Sequence, residues 1–122
     1  MRKRLFSDCD DTLLIYDSIG ERHPFGYLQR EPYHINEPLV NSIVAWAYDN
    51  PCSMIVVWSG GGADYARTIT DIVFPYTHDI QTMVKDRTTF YLVRSGDIVI
   101  DDMADSVEVP TKVFRPDEWR YP

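Results

Sequence analysis

Residues 4–12 read Arg4-Leu5-Phe6-Ser7-Asp8-Cys9-Asp10-Asp11-Thr12, an apolar stretch that runs straight into a cluster of acids. A short apolar run that stops at charge has the pattern of a buried strand ending in a polar loop, so residues 4–9 predict a first strand with carboxylates at its C-terminal end. Residues 53–58 (SMIVVW) repeat the arrangement and stop at Ser59, followed by Gly60, Gly61 and Gly62. The two strands therefore present polar chemistry at the same end.

Between them, residues 38–50 place Leu39, Val40, Ile43, Val44 and Ala47 on one stripe, with Asn36 as the cap and Pro38 tolerated in the first turn. Residues 63–74 predict a second amphipathic helix with Tyr65, Ala66, Ile69, Ile72 and Val73 facing inward, closed by Pro75. Further on, residues 80–84 predict a third strand, 87–94 a short helix, 96–100 a fourth strand and 112–114 a fifth. Alternation of this kind predicts one Rossmann-like, three-layer α/β domain over residues 1–122. Its central sheet is mostly parallel, with helices on both faces and functional groups at the strand C-terminal ends.

The 122 residues suit a single domain, and no repeat, low-complexity tract or Gly/Ser linker divides them. Nineteen acidic against twelve basic residues give a formal charge of −7, which works against an extended nucleic-acid groove. A divalent cation between the acid clusters at 8–11 and 101–105 would soften that repulsion toward an anionic substrate. Cys9 and Cys52 lack metal-site or disulfide-framework spacing and read as buried free thiols. With no signal-peptide pattern and no membrane-spanning run, cytoplasmic residence and no membrane association are expected.

The strand ends carry, in order, Asp8-Cys9-Asp10-Asp11-Thr12, then Ser59-Gly60, then Lys85, then Asp101-Asp102. This ordered set resembles the haloacid dehalogenase superfamily. There, a DxDxT motif follows strand one, a Ser or Thr follows strand two, and a Lys and an acid pair complete the site. The resemblance spans roughly residues 4–105. It implies a magnesium-dependent phosphatase, with Asp8 as nucleophile forming an aspartyl-phosphate and Asp10 as general acid and base. Phosphate contacts would come from Ser59, Gly60 and Lys85, and metal ligands from Asp8, the Asp10 backbone carbonyl, Asp101 and Asp102. An Asp at position 10 matches the phosphatase and phosphomutase members, since dehalogenases and ion-pumping ATPases lack it.

Each role has a physical basis: a carboxylate attacking a phosphate dianion meets like-charge repulsion of about 4 kcal/mol per charge pair at 4 Å and an intermediate dielectric. Counter-charge is required, and Mg²⁺ with hard oxygen ligands supplies it. Arg94 and Lys112 stand as alternatives to Lys85, and either Asp101 or Asp102 could be the direct metal ligand. Thr12 is expected to shape the turn. Neither usual cap position has room for a cap domain, so a flap at residues 15–35 would be the only cover, as in small capless phosphatases including the phosphatase module of polynucleotide kinases. The implied partners are a nucleotide, a phosphorylated nucleic-acid end or another small phosphate ester, with monomer and homo-oligomer both open.

Rival readings fare less well. An EF-hand counted from Asp8 would put Leu13 where Gly is needed and Ile19 where the bidentate Glu should stand. The glycines at 60–62 complete neither a dinucleotide nor a Walker pattern. His23, His34 and His78 show no metal spacing. The alternative from another class is a non-catalytic phosphatase-like module or a phospho-accepting receiver domain. A receiver, however, carries its lysine on the final strand, after its acids, whereas here Lys85 precedes Asp101 and Asp102.

Overall fold

The chain alternates strand and helix because its apolar residues switch between period two and period 3.6, and the computed structural model shows how those segments assemble. It describes residues 2–18, 25–75 and 79–122. The central sheet contains β1 (Arg4–Ser7), β4 (Met54–Ser59), β5 (Ile80–Val84), β6 (Ile98–Ile100) and β7 (Val113–Phe114), ordered β5-β4-β1-β6-β7 with parallel pairing throughout. A separate antiparallel pair joins β2 (Leu14–Tyr16) to β3 (Tyr33–Ile35). The architecture is α/β and Rossmann-like, as the alternation predicts.

Helices α1 (Glu37–Asp49) and α2 (Ala63–Val73) pack on one face, where Leu39, Ile43, Ala66 and Ile69 meet Leu5, Ile55, Val57 and Ile100. The other face, with Phe6, Val56, Trp58 and Val99, is covered by Val93, Val107 and the one-turn α3 (Arg87–Phe90). Leu5, Phe6, Val57, Trp58 and Val99 are at most 1% exposed, and each such side chain contributes roughly 1.5–3 kcal/mol by leaving water.

Several local expectations are corrected. The helix expected at 87–94 stops at Phe90 because its continuation is diverted: the Arg4 guanidinium donates to the Leu92 carbonyl at 2.5 Å, and the Arg94 N–H donates to Asp97 at 2.8 Å. The fourth strand begins at Ile98, since Gly96 turns with φ 94°. Along α1, Trp46 is buried and Val44 is 42% exposed, because Leu39, Ile43 and Trp46 follow the helical period and Val44 swings past the stripe. Ile72 in α2 is only half-buried, and Thr70 takes an inward place. Cys9 is buried as expected, but Cys52 is exposed in the turn after α1, where its φ is 73°.

From β1 the chain moves outward through β4 and β5, then returns to the other side of β1 for β6 and β7. That reversal opens a crevice at the C-terminal end of β1, the place where sheets of this kind bind ligands. Asp8 follows Ser7 directly into it.

Among the described residues, no helix is long and apolar enough to cross a membrane. The expected flap corresponds to the β2–β3 pair and a 3-10 turn at Gly26–Gln29; its residues 19–24, and with them His23, lie outside the described residues, as does His78.

Candidate active site

Parallel register brings distant parts of the sequence to one level. Ser7 pairs with Val57 on one side and Ile100 on the other, and Ser59 pairs with Val84. One step further along the strands stand Asp8, Asp101 and Lys85. Strand β1 ends at Ser7, earlier than expected, because the Cys9 carbonyl accepts the N–H groups of Leu13 at 2.9 Å and Leu14 at 3.1 Å and so closes a turn. The Asp8 N–H still reaches the Ile100 carbonyl at 3.0 Å, and the Asp101 N–H reaches Phe114 at 2.9 Å. Both carboxylate-bearing residues are thus fixed by the sheet.

Lys85 Nζ lies 2.9 Å from Asp8 Oδ1 and 2.8 Å from Asp101 Oδ2, so it is Lys85 that enters the cluster. Lys112 instead lies over the Phe114 ring, 4.7 Å from its centroid, and the Arg94 backbone is tied to Asp97. Asp8 is 6% exposed and Asp101 fully buried. Asp102 is half-buried, and its N–H donates to Thr12 Oγ1 at 3.1 Å, while that hydroxyl donates to Asp8 Oδ2 at 3.3 Å. Thr12 therefore does more than shape its turn: it ties the first acid cluster to the last.

Asp8, Asp101 and Asp102 offer carboxylate oxygens that all lie within 4.8 Å of one another. Burial, reinforced by the Asp101 charge and only partly offset by Lys85, pushes the Asp8 carboxyl well above the usual range. Burial and the neighbouring Asp101 also push Asp102 up. At Lys85, burial works against the ammonium, but Asp8 and Asp101 outweigh it and hold its pKa above the ordinary lysine value. Three carboxylates against one ammonium leave a concentrated deficit of positive charge. A hard divalent cation fits this oxygen donor set.

Ser59 is 2% exposed, and its carbonyl accepts the Lys85 N–H at 2.8 Å, which joins the ends of β4 and β5. Its Oγ accepts the Gly61 N–H at 3.0 Å, so the turn into α2 is internally bonded. The glycines have unequal reasons to be glycine. A side chain at Gly61 would meet Tyr65 at 3.1 Å and Phe25 at 3.2 Å, and Gly62 turns at φ 106°, whereas a Cβ at Gly60 would find its nearest neighbours at 3.9–4.0 Å. Gly62 has open space beside it and is required by its backbone angle, whereas Gly60 would meet only ordinary van der Waals contacts.

Asp10 is not one of the three clustered carboxylates. Its Oδ1 accepts the Tyr65 hydroxyl at 2.7 Å and also the Tyr16 hydroxyl. Burial, then the hydrogen bond to Asp10, pushes the Tyr16 phenol well up; burial, then the hydrogen bonds of Tyr16 and Asp10, does so at Tyr65. Both phenols stay protonated donors at neutral pH. Cys9, between the two acids, is pushed up first by burial and then by Asp8, and it remains a thiol.

Sequence reasoning missed the polar role of the two tyrosines, while Phe25 falls in the stretch expected to form the flap. Tyr65 lies at an inward position of an amphipathic helix and reads as core, and nothing in its spacing announces a polar partner. Phe25 packs against Tyr65, with ring centroids 5.3 Å apart, and so lays the flap on the glycine turn. Comparison with known proteins finds no family model, curated protein or solved structure that matches this chain.

Proposed function

We propose that this chain is a magnesium-dependent phosphomonoester hydrolase of the haloacid dehalogenase type, acting through an aspartyl-phosphate on Asp8. The observation that carries this reading is the bridging of Asp8 and Asp101 by Lys85 at the C-terminal crevice of a parallel sheet, with Asp102 completing an oxygen cluster. A phosphate ester needs a nucleophile, positive charge for its oxygens and a proton for its leaving group, and these groups supply them.

In the first step an Asp8 oxygen attacks phosphorus, the ester P–O bond breaks, and Asp10 gives a proton to the departing oxygen. In the second, Asp10 takes a proton from water, whose oxygen attacks phosphorus, and inorganic phosphate leaves as the Asp8 carboxylate is restored. Lys85 favours the charged form of Asp8, partly offsetting burial and Asp101, and remains beside the transferred group. In this reading Ser59 and the Gly60 N–H hold non-bridging oxygens. Asp8, Asp101 and Asp102, with the Asp10 carbonyl, would hold Mg²⁺, which would supply counter-charge for the phosphate.

The flap hairpin is the only cover in this reading, in keeping with a capless phosphatase. A cavity of about 330 Å³ is lined by Asp11, Asp102, Arg115 and Arg120, next to the acid cluster. Nucleotides, phosphorylated nucleic-acid ends and other small phosphate esters all suit an open site of this kind.

The test is phosphate release from an aryl phosphate with Mg²⁺. Activity is expected to stop with chelator and to fall about 10⁴-fold or more in Asp8→Asn, with the fold retained. Equal activity in that variant overturns the proposal.

A further inference from the structure

We propose that Tyr16 and Tyr65 are positioning residues that aim the proton-transferring carboxyl of Asp10, and that the flap is thereby part of the catalytic machinery. This rests on the phosphatase reading, because it assigns work to the carboxyl which that reading makes the acid and base.

Asp10 stands within the turn that the Cys9 carbonyl closes, and its carboxyl can rotate about two bonds. Here one of its oxygens is gripped from two sides. Tyr65 Oη, from α2, donates to Oδ1 at 2.7 Å, and Tyr16 Oη, from β2, donates to the same atom. Two donors on one oxygen restrain rotation of the group, and the second oxygen is the one this proposal assigns to proton transfer. Proton transfer is sensitive to such aim, since the acid must lie within hydrogen-bond reach of the leaving oxygen.

The grip is itself supported. The Tyr27 N–H, in the 3-10 turn of the flap, donates to Tyr16 Oη at 2.9 Å, so the lone pair of that phenol is used and its own proton is directed at Asp10. Phe25, at the same end of the flap, meets Tyr65 edge-on at 5.3 Å and covers the space over Gly61. The flap thus reaches Asp10 by two routes: directly through Tyr16, and through Phe25 on Tyr65.

Loss of aim at a general acid hurts most where the leaving group is a poor one. An alkyl phosphate must receive a proton as its P–O bond breaks, whereas 2,4-dinitrophenolate departs without one. The experiment compares kcat/KM for an alkyl phosphate and for 2,4-dinitrophenyl phosphate in the parent and in Tyr65→Phe, since kcat/KM reports the steps through phosphorylation of Asp8. The expected result is a loss of about tenfold for the alkyl ester and less than about twofold for the dinitrophenyl ester. Tyr16→Phe gives the same selective loss, and Mg²⁺ affinity measured by calorimetry is unchanged in both variants.

Equal loss on both esters, or none on either, overturns the positioning role while leaving the phosphatase reading intact. A parent protein that hydrolyses neither ester removes the phosphatase reading, and this inference with it. Should Tyr16→Phe fail to fold once the Tyr27 N–H loses its acceptor, Tyr65→Phe decides the matter alone.

Discussion

At each end of the sheet an aspartate meets a basic side chain, and the two meetings are built differently. At the N-terminal end, Arg4 Nη2 lies 2.6 Å from Asp97 Oδ2, which also accepts the Arg94 N–H at 2.8 Å, while the same guanidinium nitrogen donates to the Leu92 carbonyl. One positive charge meets one negative charge, and the remaining hydrogen-bonding capacity goes to backbone. At the C-terminal end one ammonium faces Asp8 and Asp101 at 2.9 and 2.8 Å, with Asp102 close by. A balanced pair secures a loop, whereas the cluster left short of positive charge is where the proposed phosphatase reading puts a cation and an anionic substrate.

That contrast is broken most severely at Lys85. Lys85→Met should lower kcat/KM by about 10²–10³-fold, as loss of an electrostatic contact to the transferred group does. The same variant leaves two buried carboxylates without their ammonium and should cost the metal-free protein about 3 kcal/mol, read by urea unfolding.

Next in size is a difference of sign. Asp97→Asn strands Arg4 and should destabilise by about 2 kcal/mol, whereas Asp8→Asn removes one of several crowded negative charges and should stabilise the metal-free fold by about 1 kcal/mol. Thermal unfolding in the presence of chelator checks both. Two losses of equal size would mean that the two ends of the sheet do the same job.

The smallest effect belongs to a carboxylate with no ion pair among the described residues. Asp86 is fully exposed and caps α3, and the Thr88 hydrogen bond holds its pKa below the usual carboxylate value. A folded pKa below the unfolded one gives a contribution that is present above the ordinary carboxylate pKa and fades as pH falls through the lowered value. The unfolding midpoints of the parent and Asp86→Ala should therefore differ slightly at neutral pH and converge in acid.

The contrast between the two ends also separates what could be read from the sequence from what could not. Asp8, Ser59, Lys85 and Asp101 were legible because each stands where an apolar strand stops, and parallel pairing sends all such ends the same way. Asn36 was legible as a cap because its side chain has one nearby amide to meet, that of Leu39. The Arg4–Asp97 pair was hidden, since its partners are 93 residues apart and neither breaks a pattern. The tyrosines on Asp10 were hidden for the opposite reason: they fit the pattern of a core so well that their hydroxyls went unread. Strands β2 and β3, three residues each, are too short to display a period.

The most direct measurement traps the intermediate. The protein is quenched in acid during turnover of a phosphate ester with Mg²⁺, reduced with borohydride and mapped by mass spectrometry. The account predicts that the reduced acyl phosphate lies at position 8 and is missing from Asp8→Asn. Reduction at another aspartate, or phosphate release with no acyl phosphate on the protein, would contradict it.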